Sequence, residues 1–148
     1  MTASQPVHVP AAGGRTFNLL GISTTAKLTA ADTGGAYILA EQTVPPGMGV
    51  PPHIHTREEE VFFVLEGEIE FVVGDRTVIG KPGDILHAPR GVAHGYKGVG
   101  NKSARGMFMA IPGDIEAMFT EMAGWPQDAP PDMAKLADLC ARFGISFV

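Results

Sequence analysis

At 148 residues, with 45% apolar and 18% charged side chains, the chain has the size and balance of one soluble globular domain. A net charge of −5 with no Lys/Arg cluster excludes a surface built to neutralise several phosphates, so no nucleic-acid partner is expected. No apolar run reaches membrane-spanning length, no basic segment followed by an apolar core opens the sequence, and the single Cys140 permits no intrachain disulfide, so a cytoplasmic protein with no membrane partner is expected.

Residues 1–14 are rich in Pro, Ala and Gly and predict a flexible or extended arm. Residues 16–20 and 22–28 are short candidate strands, and Asp32-Thr33-Gly34-Gly35 is a turn before a strand over 36–44. Pro51 and Pro52 fix φ and disfavour helix in the residue before each, which holds the approach to His53 extended. In an extended chain residues i and i+2 face the same way, so His53 and His55 reach one point, a candidate metal site.

Residues 61–65 are apolar at every position. If Glu60 points inward, Phe62 and Val64 follow it, and Val61, Phe63 and Leu65 face outward. A strand apolar on both faces needs cover on both, from a helix, the arm or a second subunit, and a homodimer is expected. Residues 68–73 alternate as a half-exposed strand, Gly74-Asp75 turns, 77–79 returns, and 84–88 and Ala104–Ile111 are further strands. Many short strands separated by Gly/Pro turns predict an all-β sandwich or barrel.

The period then changes. Ile115, Met118, Phe119 and Met122 recur at helical spacing, as do Leu136, Leu139, Cys140 and Phe143, predicting two short C-terminal helices. Asp114 and Asp132 stand where N-caps belong and Gly144 where a C′ glycine belongs. The apolar stripes are core, available to cover Val61, Phe63 and Leu65, and Cys140 on the second stripe is a buried, inert thiol.

Two blocks follow one another in the middle of the chain: Gly47, His53-x-His55, Glu60 and Gly67, then Gly83, Pro89-x-Gly91 and His94. Their order and spacing resemble the two motifs of the cupin superfamily, and the segment from Asp32 through Gly67 is similar to small bacterial single-domain cupins of the quercetin dioxygenase-like kind. One position departs: the second motif usually ends in an asparagine where this chain has Gly98. The resemblance implies a cupin-type jelly-roll barrel over 15–112 with a helical extension over 113–148 packed on it. It also implies His53, His55, Glu60 and His94 as ligands of one metal. The spacing to Gly67 selects Glu60 from its run of three and leaves Glu58 and Glu59 as solvated loop charges.

Three imidazoles and a carboxylate suit one divalent transition metal (Fe, Mn, Ni, Co, Cu or Zn), whereas Ca²⁺ and Mg²⁺ favour an all-oxygen shell. The inward apolar positions Phe62, Val64 and Phe71 predict a pocket for a planar, partly apolar chelator. Tyr96, two after His94, either lines that pocket or packs as a core aromatic. His87 lines the cavity if the face it shares with Ile85 is the inner one. Three functions fit a small-molecule ligand here. The first, following the resemblance, is an O₂-dependent dioxygenase of a flavonol- or enediol-like substrate with Glu60 as ligand and catalytic base. The second is a non-catalytic metal-dependent binder or sensor, and the third a metal-dependent isomerase or lyase.

Overall fold

Eleven strands and two helices organise the computed structural model, which describes residues 4–148. The strands are β1 (Arg15–Leu19), β2 (Ile22–Leu28), β3 (Ile38–Val44), β4 (Gly49–His55), β5 (Glu59–Glu66), β6 (Ile69–Val73), β7 (Arg76–Gly80), β8 (Ile85–Ala88), β9 (His94–Gly98), β10 (Ala104–Ile111) and β11 (Ile145–Phe147). Helices α1 (Glu116–Ala123) and α2 (Met133–Arg142) lie between β10 and β11. The strands form a six-stranded sheet, β1-β2-β3-β10-β5-β8, and a five-stranded sheet, β11-β4-β9-β6-β7, antiparallel throughout. This is the all-β sandwich predicted from the strand pattern, in the jelly-roll form that the resemblance implies.

Period-two burial fixes which residues meet between the sheets. Along β10, Ala104, Gly106, Phe108 and Ala110 are buried while Arg105, Met107, Met109 and Ile111 are half-buried. On β5, Glu60, Phe62 and Val64 point inward and Val61, Phe63 and Leu65 outward, as the alternation requires. At one end of the sandwich Val64 and Phe71 close on Gly80, where a Cβ would stand 2.7 Å from the Phe71 ring.

The helices do not cover the outer face of β5. The apolar side of α1 packs toward β1, and α2 packs against β11. Met118, Phe119 and Met122 are buried, with the Phe119 ring 6.0 Å from Phe108 and 6.3 Å from Phe17. Burying each such side chain contributes about 1.5–3 kcal/mol, and the sandwich interior near Phe17 and Phe108 offers more to bury against than the outside of β5. The N-terminal segment lies against neighbouring strands of the same sheet: Val9, Pro10 and Ala11 border a depression with Lys27, Glu41 and Met107, on β2, β3 and β10, and Lys27 Nζ donates to the carbonyls of Ala11 and Gly13 at 2.6 and 2.8 Å. Residues 1–3 of the expected arm lie outside the described residues.

Asp132 caps α2 as expected, accepting from the amides of Ala134 and Lys135. Asp114 does not cap α1, because a 3-10 turn over Gly113–Ile115 feeds straight into the helix and leaves no extended N-cap position. Gly144 ends α2 at φ 74°, and a side chain there would collide with Thr56 Oγ1. That glycine turns the chain into β11, a strand too short to be recognised in the sequence, which pairs Ile145 with His55 and Phe147 with His53.

Gly98 has a steric explanation. A Cβ at this position would stand 2.5 Å from Pro45 O and 3.0 Å from Val44 O, where the backbone bonds Gly47 N to Gly98 O and Gly98 N to Met48 O, both at 2.9 Å, hold two chains together. Gly98→Asn, which restores the usual motif residue, is therefore expected to destabilise the fold by about 1–3 kcal/mol through overpacking. Urea unfolding of both proteins checks it, and equal midpoints would show that the loop at Pro45 yields freely.

Candidate metal centre

The β4–β9 pairing sets His94 directly across from His53, which places their side chains on one face and within contact range. Normal ladder pairing breaks between Val50 and His53, where Pro51 and Pro52 have no N–H to give, and Gly95 opposite them lets the backbones approach: a Cβ there would be 2.7 Å from Val50 O. His55 follows His53 on the same face. Glu60 arrives from β5 in the facing sheet. One donor atom from each of these four residues lies within 4.8 Å of the others, and all four residues are buried.

Each imidazole is locked from behind. His53 Nδ1–H donates to Pro51 O at 2.8 Å and His94 Nδ1–H to Val92 O at 3.2 Å, in both cases the carbonyl two residues earlier. His55 Nδ1–H donates to Glu58 Oε2 at 3.1 Å. With Nδ1 so engaged, the Nε2 lone pairs are the ones that converge. His94 Nε2 stands 2.8 Å from Glu60 Oε2 and His55 Nε2 3.6 Å from the same oxygen. A cation at this point would bond the ring nitrogen and the carboxyl oxygen together.

Burial drives His53 down to about 4, against the pull of Pro51 O and the Glu60 charge, so this ring is neutral at pH 7. Burial also depresses His55, but the Glu58 hydrogen bond and the Glu60 and Glu58 charges outweigh it and hold the ring above its usual value. For Glu60 burial pushes upward, and the His94 hydrogen bond with the charges of His55, His94 and His53 wins, leaving the carboxyl below its usual range. Three nitrogens and one carboxylate oxygen in this setting could hold a borderline divalent first-row metal ion.

His53, His55 and Glu60 also line a cavity of about 90 Å³ whose remaining wall is mostly apolar: Leu19 and Phe108 from the sandwich, Met118 and Phe119 from α1, Leu136 from α2. Phe62 and Tyr96 line it. Tyr96 OH donates to Gln42 Oε1 at 2.8 Å and Gln42 Nε2 to Thr24 Oγ1 at 3.0 Å, and burial raises the phenol so that it stays protonated. Val64 and Phe71 are buried away from this cavity, around Gly80. Cys140 lies in the wall, its thiol pushed up by burial.

Besides Val64 and Phe71, two further readings of the sequence need correction. His87 does not face the cavity: it pairs across β8–β5 with the outward Val61, its side chain is 53% exposed, and it meets Glu59 at 3.2 Å. Glu58 is not a solvated loop charge. It is 1% exposed, folded back under His55 from the end of the β4–β5 loop. A carboxyl three residues after the second histidine of the pair was the available signal, masked by two more glutamates beside it. The helical and β11 lining of the cavity was not legible, because the stripes show which residues are buried but not where.

Comparison with known proteins agrees with this geometry. The family model described as "Cupin domain" matches residues 40–110. The chain is 35% identical over 85 residues to a probable germin-like protein of Arabidopsis thaliana (53% of this chain, 38% of the relative). It is 33% identical over 76 residues to an oxalate-binding protein of Thermotoga maritima (51% and 61%). The chain thus spans less than two thirds of the length of these curated relatives. Among solved structures, a predicted oxalate decarboxylase from Thermotoga maritima superposes with a TM-score of 0.64 at 24% identity (72% of this chain, 99% of that one). The polyketide cyclase RemF from Streptomyces resistomycificus superposes with a TM-score of 0.63 at 25% identity (72% and 80%). These relatives are named as germin-like and oxalate-binding proteins and do not point specifically to the quercetin dioxygenase-like kind. Motif, sandwich and buried His/Glu cluster converge: residues 40–110 of this chain are a cupin domain.

Proposed function

We propose that the protein binds one divalent transition metal through His53, His55, Glu60 and His94 and carries out O₂-dependent cleavage of a small, largely apolar molecule that chelates through adjacent oxygens. The observation that carries this reading is the cavity: the buried donor cluster opens onto an apolar wall with no lysine or arginine in it. A metal held there supplies Lewis acidity and a redox partner for O₂. The chain's own residues do the rest. Glu60, held below the usual carboxyl range, is deprotonated and accepts the proton of the substrate hydroxyl. Leu19, Phe108, Met118 and Phe119 exclude water and present an apolar surface to the substrate. Tyr96, with its proton committed to Gln42, fixes the shape of the wall.

Size narrows the substrate class. An apolar cavity of about 150 Å³ accommodates one benzene ring. About 90 Å³ therefore favours an enediol-sized ligand, and a three-ring flavonol requires α1 and α2 to move outward. Oxalate, a dianion with no apolar surface, would find no cation in the wall. The buried single thiol suits a cytoplasmic setting, and no helix among the described residues is long and apolar enough to cross a membrane. We also propose a homodimer through the outer face of β5 and β8, where Val61, Phe63 and Leu65 are half-buried and Ile85 is 64% exposed. Light scattering at micromolar concentration checks it, and a monomer would leave that face to solvent.

Metal binding must displace any proton on His55, whose affinity for protons is raised. Affinity for Co²⁺ should therefore rise with pH through and just above the ordinary histidine range and level off once His55 is neutral. Calorimetry should register release of up to one proton per metal at about pH 6 and less at about pH 8, and a pH-independent affinity would contradict the site. His53→Ala, His55→Ala, His94→Ala and Glu60→Ala should each lower occupancy, with Glu59→Ala unchanged.

For the activity, metal-free protein reloaded anaerobically with Fe, Mn, Co, Ni or Cu and given an acireductone-like enediol should consume O₂ on exposure to air. Glu60→Gln that retains metal should lose roughly 10²-fold or more of that rate. Substrate turnover without O₂ uptake would move the reading to an isomerase or lyase. Binding without turnover would make the protein a metal-dependent binder.

A further inference from the structure

We infer that Glu58 is a positioning residue for the metal centre, fixing the tautomer and plane of His55 and strengthening it as a donor. The inference rests on the metal reading above.

His53 and His94 are oriented by main-chain carbonyls, which come with the fold. His55 alone is oriented by a side chain. Glu58 approaches the ring at Nδ1, the nitrogen remote from the converging Nε2 atoms, and it is not among the donors that lie within 4.8 Å of one another. It therefore supports a ligand without competing for the ion. An imidazole that donates Nδ1–H to a carboxylate is held in one orientation and made more basic at Nε2, which strengthens its bond to a metal.

The fold gives no other reason for this residue. Glu58 is 1% exposed, its Oε2 meets His55, and its Oε1 is buried without a hydrogen-bond partner among the described residues. A buried carboxyl with a single bond is destabilising relative to an apolar side chain of the same shape. Its place is nonetheless held firmly from outside: Thr56 N and Oγ1 both donate to Gly144 O, at 3.0 and 2.8 Å, and Arg90 Nε donates to Arg57 O at 2.7 Å. The three consecutive glutamates thus take three roles: Glu58 under His55, Glu59 outward to His87, and Glu60 into the cluster.

The test compares full-length wild type with Glu58→Ala, Glu58→Gln and, as control, Glu59→Gln, using Co²⁺ as probe. Affinity, the visible ligand-field spectrum and the melting temperature of the metal-free protein are measured for each. Glu58→Ala should weaken Co²⁺ binding about 10–100-fold and alter the spectrum. Glu58→Gln, whose amide oxygen still accepts Nδ1–H, should keep the ring in place, lose affinity by a smaller factor, and melt metal-free like wild type. Glu59→Gln should match wild type in all three. Unchanged affinity and spectrum in both Glu58 variants, or losses that merely follow a lower metal-free melting temperature, would overturn the inference. Should Glu58→Ala fail to fold, Glu58→Gln decides. Wild type that takes up no Co²⁺ overturns the metal reading and this inference with it, whereas tight wild-type binding with unaffected variants overturns this inference alone.

Discussion

Three imidazoles and a carboxyl are buried with one donor atom of each within 4.8 Å of the others, in a largely apolar interior. Polar groups taken out of water are tolerable only when their bonds are replaced, and repulsion between like groups adds to the cost. The surrounding architecture supplies the replacements. A ladder defect at two prolines frees Pro51 O for His53, the turn before β9 offers Val92 O to His94, and the β4–β5 loop folds Glu58 beneath His55. Three donors come from one sheet and the fourth from the sheet facing it, so a cation at this point would tie the two halves of the sandwich to each other.

The cavity is a product of both the sandwich and the helices. Strands alone would leave the donor cluster at an open mouth. The first turns of α1 and the apolar side of α2 close it with methionine, leucine and phenylalanine, and they raise the strength of every electrostatic interaction inside by excluding solvent. Methionines at Met118 and Met122 give this wall a deformable character that branched side chains would not.

The sandwich and its inward residues could be read from the chain because strand burial has a period of two: once Glu60 is placed, Phe62 and Val64 follow and Val61, Phe63 and Leu65 are excluded. The buried donor cluster was readable in part for the same reason, since His53 and His55 share a face, while Glu60 and His94 follow from the resemblance to the two cupin motifs. Glu58 escaped that logic because it precedes the strand, where no period applies and a side chain's direction depends on the loop. His87 escaped it because both faces of residues 84–88 carry buriable side chains, and only the pairing with Val61 decides between them. The docking of the helices depends on shape complementarity across distant segments, which a stripe of buried residues does not encode. The three residues of β11 are too few to show any alternation at all.

That short strand links the time at which the protein is made to the time at which its centre is complete. Ile145 and Phe147 hydrogen-bond the very segment that carries His55 and His53, across the whole intervening length of the chain. Translation delivers residues in order, and long-range pairings close late because the loop between them must first surrender its freedom. The histidine strand therefore waits on the ribosome with one edge bare until residue 147 has emerged. A nascent chain could collapse its sheets well before that moment, yet the pocket would gain its final wall, and with it full shielding from water, only afterwards.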